Sequence, residues 1–234
     1  MNDAGNPSTA FDTAAAKAEL SAFIAALGPR TAAVAPTPLP ELGEDIRDVA
    51  ADGALIERFT AAAAAAGMAV HRATPASCAE VLGRIVQQLP ARHVFLTAQA
   101  DTALTPALAE ALGDTLRRLG VRLNSTPDDE TLFTVDAAIT GVAAAVAETG
   151  TLVCVSAPDS ARGASLIPPV HVAVVAAGQL VADLCDLRTL WRTGADLPAN
   201  VNLISGPSKT ADIEGVLVTG MHGPGQVHVI LLDG

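Results

Sequence analysis

Four short segments hold the side chains that can do chemistry. The richest runs from Asn202 to Glu214, N-L-I-S-G-P-S-K-T-A-D-I-E. An apolar strand breaks there at Gly206-Pro207 and presents the hydroxyls of Ser205, Ser208 and Thr210 with the ammonium of Lys209. Small residues let backbone N–H groups approach a ligand closely, so these hydroxyls and Lys209 can hold an anion. The spacing is neither a Walker A loop nor GxGxxG and assigns no nucleotide. A Gly-Pro turn capped by Ser and Thr, with Asp212 holding backbone amides, accounts for the same residues equally well.

A second segment, Ala147-Glu148-Thr149-Gly150-Thr151, puts a carboxylate between an alanine-rich stretch and an apolar strand. In a crevice, partial burial would raise the Glu148 pKa and fit it to act as base, nucleophile or substrate acceptor. The plainer reading is a solvated Glu before a helix-ending glycine. The third segment, Arg162-Gly163-Ala164-Ser165-Leu166-Ile167-Pro168-Pro169, offers a planar guanidinium matched to carboxylate or phosphate, and Ser165 as a further donor. The fourth, Gly220-Met221-His222-Gly223-Pro224-Gly225, places His222 in a Gly/Pro turn, where it either donates to an anion or is structural. His71, His93, His171 and His228 alternate with apolar residues and are expected within strands, since no HxH or HExxH pairing accompanies them.

The elements that must position these residues follow from hydrophobic periodicity. Leu20, Phe23, Ile24 and Leu27 give an amphipathic helix over 11–27, and four prolines between Pro29 and Gly43 make a connector, so residues 1–45 form an appendage to a domain over 46–234. Helices are expected at 53–66, 77–89 and 104–119, alternating with strands at 68–72, 93–97 and 121–124. Such alternation means βαβ units: an α/β fold with an open, mostly parallel sheet and helices on both faces. Asp128-Asp129-Glu130 marks an acidic turn, and further strands are expected at 133–139, 151–155, 170–175, 201–204 and 227–232. The Glu148 turn and the Ser205–Thr210 loop should then flank strand ends on the edge where parallel sheets place their crevice.

Composition excludes several functions. With 14 Lys+Arg against 25 Asp+Glu the formal net charge is -11, and aromatic residues make up 3% with no Tyr. Nucleic-acid binding lacks both the clustered cations and the stacking rings it needs. Cys78, Cys154 and Cys185 are widely spaced and none belongs to a CxxC, so no cofactor is expected in this chain, neither an iron-sulfur cluster nor a zinc site. The start of the chain has no basic and apolar leader, and the most apolar stretch, 170–182, is interrupted by His171, Gly178 and Gln179. A cytoplasmic protein with no membrane partner is the expectation.

Taken in order, A-E-T-G-T, R-G-A-S-L-I-P-P, N-L-I-S-G-P-S-K-T-A-D-I-E and G-M-H-G-P resemble the LUD-domain family, the lactate-utilisation protein C subunits, over the C-terminal hundred residues. The resemblance implies a fold similar to the sugar-phosphate isomerase and CoA-transferase superfamily. It also implies a part in oxidising L-lactate to pyruvate beside two partner subunits that carry the iron-sulfur clusters, with a small carboxylate or phosphate-bearing ligand bound here. Glu148, Thr149 and Gly150, with Thr151, match the family's acidic turn; Ser205, Gly206, Pro207, Ser208, Lys209, Thr210, Asp212 and Glu214 match its Gly-Pro-Ser loop. The alternative is a stand-alone CoA-transferase-like or sugar-phosphate isomerase-like enzyme using Glu148. Ala-Glu-Thr-Gly is similar in placement to the Ser-Glu-Asn-Gly turn of the transferases but lacks its Ser and Asn.

Overall fold

The computed structural model describes residues 13–26, 54–126, 128–157, 161–190, 198–211 and 217–233. The chain divides at residue 46 into two units. In the first, helix α1 spans Thr13–Ala26 and leaves Leu20 and Phe23 exposed. The Pro-rich connector lies outside the described residues.

In the second unit α2 (Leu55–Ala65), β1 (Ala69–Ala73), α3 (Cys78–Gln88), β2 (His93–Leu96), α4 (Pro106–Arg118) and β3 (Arg122–Asn124) follow the expected alternation. Each has a local cause. Along α3, Cys78, Val81, Leu82, Ile85 and Val86 recur at helical spacing and are all buried. Thr105 caps α4, its hydroxyl accepting from the Leu108 N–H at 3.3 Å, and Pro106 occupies the first turn, where its missing N–H costs nothing.

Beyond β3 the sequence expectation needs correction. Phe133 does not begin a strand: Asp128 accepts from the Thr131 N–H at 2.8 Å and caps a short helix, α5 (Asp129–Thr134), so β4 starts only at Ala137 and runs to Gly141. The acidic cluster is thus a helix start rather than a plain turn. After β4 come β5 (Ala144–Val146), β6 (Thr151–Val155), β7 (Val170–Ala176), β8 (Leu180–Val181), β9 (Val201–Ile204), β10 (Lys209–Ala211), β11 (Leu217–Thr219) and β12 (Gln226–Leu232). The alanine-rich run before Glu148 is strand β5, and Gly150 sits in the turn between antiparallel β5 and β6 rather than ending a helix.

Six strands form one sheet in the order β1-β12-β7-β4-β2-β3, every neighbouring pair parallel. Val94, Ile139, Val172, Val174 and Ile230 face a core closed by α3 and α4. On the opposite face Ala173, Val175, Val229 and Leu231 pack with Phe59 and Ala63 of α2, while Phe95 and Ala138 pack with Leu132 of α5. Sharing that second face is a four-stranded sheet, β8-β5-β6-β9, in which β6 is antiparallel to both neighbours. A strand covered on both sides needs no alternation, which is why β7 reads V-H-V-A-V-V-A.

The four strand histidines lie in β1, β2, β7 and β12. His71 Nε2 and His228 Nδ1 stand 3.2 Å apart, with ring centroids 5.5 Å apart and planes 18° from parallel. That is the geometry of one N–H···N bond in the plane of both rings, and it ties β1 to β12. No helix among the described residues is long and apolar enough to cross a membrane.

Candidate functional site

Two of the sequence segments meet on α2. Pairing of Leu152 with Ile204 across β6 and β9 sets Thr151 beside Ser205, and a chain of hydroxyls results: Thr149 Oγ1 to Thr151 Oγ1 at 2.6 Å, and Thr151 Oγ1 to Ser205 Oγ at 2.7 Å. Thr151 is buried, whereas Thr149 and Ser205 are exposed. Gly150 has φ +62°, and a Cβ there would overlap the backbone of Ala62 and Ala63. Gly206, at φ +107°, would likewise overlap the Ala66 carbonyl. Both glycines therefore let their loops lie directly on the last turns of α2. Lys209 Nζ reaches the vicinity of Gly67, at the carboxyl end of α2, where the helix dipole favours a cation.

Glu148 does not sit in a crevice. Its side chain is exposed, its N–H donates to Ala182 O at 3.0 Å, and it lines neither of the cavities described below. The turn and the Ser205–Thr210 loop do flank strand ends, but those of the four-stranded sheet rather than the carboxyl ends of the parallel one. Replacing Thr151 with Val should cost about 1 kcal/mol beyond Ser205→Ala alone, because the buried hydroxyl bonds on both sides. A double-mutant cycle in urea giving no coupling would show that the chain of hydroxyls is incidental.

Arg162 and Ser165 belong to a different place. They form a single 3-10 turn against the carboxyl end of β4, and with Thr140, Gly141, Cys154 and Asn202 they line a cavity of about 10 Å³, room for one water. Arg162 is exposed at its mouth, and Ser165 Oγ donates to Arg162 O at 3.3 Å. Behind it the groups are buried. Thr140 Oγ1 bonds His171 Nε2 at 2.8 Å, and His171 Nδ1 has no hydrogen-bond partner. Burial drives the His171 pKa down to about 4, so the ring is neutral near pH 7. Burial also pushes the Cys154 thiol up to about 12, against hydrogen bonds to Ser165 and Thr140 that act the other way, which rules it out as a thiolate nucleophile.

This place adjoins the topological switch point of the sheet through Thr140 and Gly141 at the carboxyl end of β4. The chain leaves β2 over the α4 face toward β3, and leaves β4 over the opposite face toward β7, so the connections part between the carboxyl ends of β2 and β4. The crevice so made is partly filled from within. Gln99 Oε1 accepts from the Gly141 N–H at 2.6 Å, and Thr102 leaves no space for a side chain at residue 141.

The remaining motif residues gather at the other end of the sheet. Ser208 N–H donates to Pro224 O and Gly220 N–H to Ser208 O, both at 2.8 Å, and Gly225 N–H donates to Pro169 O at 2.9 Å. The Gly-Pro-Ser loop, the Gly-Met-His-Gly-Pro loop and the Pro168-Pro169 turn are thus stitched together. In front of them lies a cavity of about 740 Å³ at the amino ends of β2, β4, β7 and β12, with His222 exposed on its wall. Asp136, also on the wall, is engaged: its Oδ2 accepts from the N–H groups of Arg92 and His93 at 2.7 and 2.8 Å.

The candidate residues therefore occupy three locations. Thr149, Thr151 and Ser205 are joined directly, with Gly150, Gly206, Pro207 and Lys209 packed around them on α2; Arg162 and Ser165 stand apart beside the switch point; His222 lines the amino-edge cavity, and Ser208 is bonded to the loop that carries it. Thr210 pairs with Val218 in the β10–β11 hairpin, and Asp212 and Glu214 lie outside the described residues. Sequence reasoning gave no site role to Thr140 or Cys154 and took Asn202 only as the first residue of the Gly-Pro-Ser segment. No local spacing links them, since they come from three strands that only the sheet arrangement assembles. Among the described residues no group of three or more His, Cys, Asp or Glu is placed to hold a metal ion.

A family model described as LUD domain matches residues 56–232. A lactate utilization protein C from an Exiguobacterium species is 40% identical over 107 residues, 44% of this chain and 46% of that protein, so the chain spans about half the length of this relative. An uncharacterised protein of Neisseria meningitidis is 32% identical over 156 residues, 64% of this chain and 61% of its own. A lactate utilization protein C from Deinococcus radiodurans is 31% identical over 174 residues, 68% of this chain and 82% of that protein. The crystal structure of a DUF162 family protein from Deinococcus radiodurans superposes with a TM-score of 0.50 at 26% identity, covering 77% of this chain and 96% of the other.

Proposed function

Because the chain belongs to the LUD-domain family, we propose that it serves in the oxidation of L-lactate to pyruvate as a subunit that holds the small carboxylate, while two iron-sulfur partner subunits carry the electrons. The observation that carries the ligand assignment is the position of Arg162. It is an exposed guanidinium at the mouth of a cavity with room for one water, with Ser165 and Asn202 in the same lining, beside the switch point of a parallel sheet. Open α/β sheets bind ligands at that point, and a guanidinium fork matches a carboxylate with two parallel N–H···O bonds. Asn202 supplies a neutral amide donor for the α-oxygen.

Redox chemistry is left to the partners on this reading. Cys78 and Cys154 are buried with thiol pKa values pushed up by burial to about 11 and about 12, and both are free. Transfer chemistry through Glu148 gains no support from an exposed carboxylate at a hairpin tip.

Calorimetric titration of lactate, pyruvate and phosphate into the protein and its Arg162→Lys variant tests the assignment. Lysine keeps the charge but loses the fork, so carboxylate affinity should drop about tenfold or more while the melting temperature holds. Lactate-dependent dye reduction should appear only when both cluster-bearing partners are added. Equal affinities in the two proteins would remove Arg162, and reduction by this chain alone would remove the division of labour.

A further inference from the structure

The cavity at the amino ends of β2, β4, β7 and β12 is built for something other than a three-carbon acid. Its volume of about 740 Å³ falls in the range of pockets that bury drug-sized molecules, ~300–1,000 Å³. Lactate would leave most of it filled with water. The wall is largely apolar, with Ile167, Pro169, Phe133 and Met221 contributing, and the last two are 75% and 63% exposed. In a chain with only five phenylalanines and no tyrosine, a ring held out at the mouth of a cavity adds nothing to the core and offers a stacking face to whatever enters.

One side of the cavity is polar. Of the loop that forms it, Gly220 and Gly225 spend their N–H groups on Ser208 and Pro169, whereas the N–H groups of Met221, His222 and Gly223 donate to no described backbone acceptor. The His222 ring and the Gln226 amide lie on the same wall. Adjacent N–H groups without a backbone partner in a glycine-rich turn suit an anion, and at Gly223 a Cβ would press against Leu166 O and Ser208 Cβ, each 3.3 Å from that position.

We infer that this cavity binds an amphipathic monoanion: an aromatic or medium-chain alkyl body against Phe133, Ile167 and Met221, with a carboxylate or sulfonate at the 221–223 turn. The site is separate from Arg162, which touches a different cavity at the opposite end of the sheet, so it stands whether or not lactate binds there.

The test uses 8-anilinonaphthalene-1-sulfonate as the probe, titrated into the folded protein and followed by fluorescence, with 2-naphthoate, decanoate and lactate as competitors. Saturable binding to one site is expected, displaced by naphthoate or decanoate and unaffected by lactate. Met221→Glu puts a like charge in the wall and should weaken binding at least tenfold. Leu203→Ser, which removes an exposed apolar side chain of β9 outside the cavity, should leave affinity unchanged. Both positions are exposed, and melting curves on each variant confirm that the fold is intact. Absence of saturable binding, equal affinity in Met221→Glu, or displacement by lactate would each overturn the proposal.

Discussion

Acidifying the protein from pH 6.5 to 4 is expected to remove about 3 kcal/mol of stability through one side chain, His171. In the unfolded chain an imidazole takes up its proton near pH 6.5; in the fold, burial holds His171 neutral until about pH 4. Across that window the unfolded state binds more protons, so stability falls as pH falls and levels off below the folded pKa. Among the described residues Thr140 is its one hydrogen-bond partner, and none of their carboxylates is bonded to the ring to compensate a charge. His71 and His228, lowered chiefly by burial with Arg84 and His71 respectively adding to the effect, push in the same direction. Urea denaturation across the pH range should show a steep acid limb in the parent. A His171→Leu, Thr140→Val double variant removes both partners of the buried bond, so its stability near pH 7 should stay close to parental while the limb flattens. An unchanged limb in that variant would place the acid sensitivity elsewhere.

Gly150→Ala should destabilise by about 3 kcal/mol or more. Two costs coincide there. The backbone has φ +62°, and the added Cβ would run into the Ala62–Ala63 backbone of α2, which cannot swing aside as a side chain would. Gly120→Ala separates the two, since that glycine has φ +74° but no atom within 4 Å of the would-be Cβ. It should cost only about 1 kcal/mol, the strain of the left-handed conformation alone. Guanidinium unfolding of both variants gives the comparison, and similar costs would mean that α2 moves away without resistance.

The parallel half of the fold was legible because its signals are local. Amphipathic spacing in α3, the Thr105-Pro106 start of α4 and the Gly67 and Gly120 stops are all set by neighbours in sequence. Of the four-stranded sheet, β6 and β9 were expected as strands but β5 was not, because Ala144–Val146 is three small residues buried on both sides, a pattern that helix and strand share. At Phe133 a local cue was present but outweighed. Asp128 followed directly by Asp129 and Glu130 is a helix-start pattern, an N-cap residue with acidic residues in the first turn, yet the apolar run behind it reads as a strand. The hydroxyls of Thr151 and Ser205 lie in segments the sequence singled out, and the fold joins them. It also parts two candidate anion donors, leaving Arg162 at the carboxyl end of β4 and Ser208 bonded to Pro224 and Gly220 at the other end of the sheet. Which loops share an end of a sheet depends on strand order, and strand order is a property of the whole chain.

That strand order also governs when the domain can exist. β12 lies inside the sheet, between β1 and β7, and the histidines that tie it to β1 are 157 residues apart in the chain. During synthesis β1 emerges early and has no neighbour to pair with until residues 226–232 follow, while β7 waits with an open edge over the same interval. Long-range parallel pairing of this kind is slow and leaves strand edges exposed to other chains. A nascent chain stalled before residue 226 should therefore depend on chaperones far more than the finished one, and its protease resistance should appear abruptly rather than grow with length.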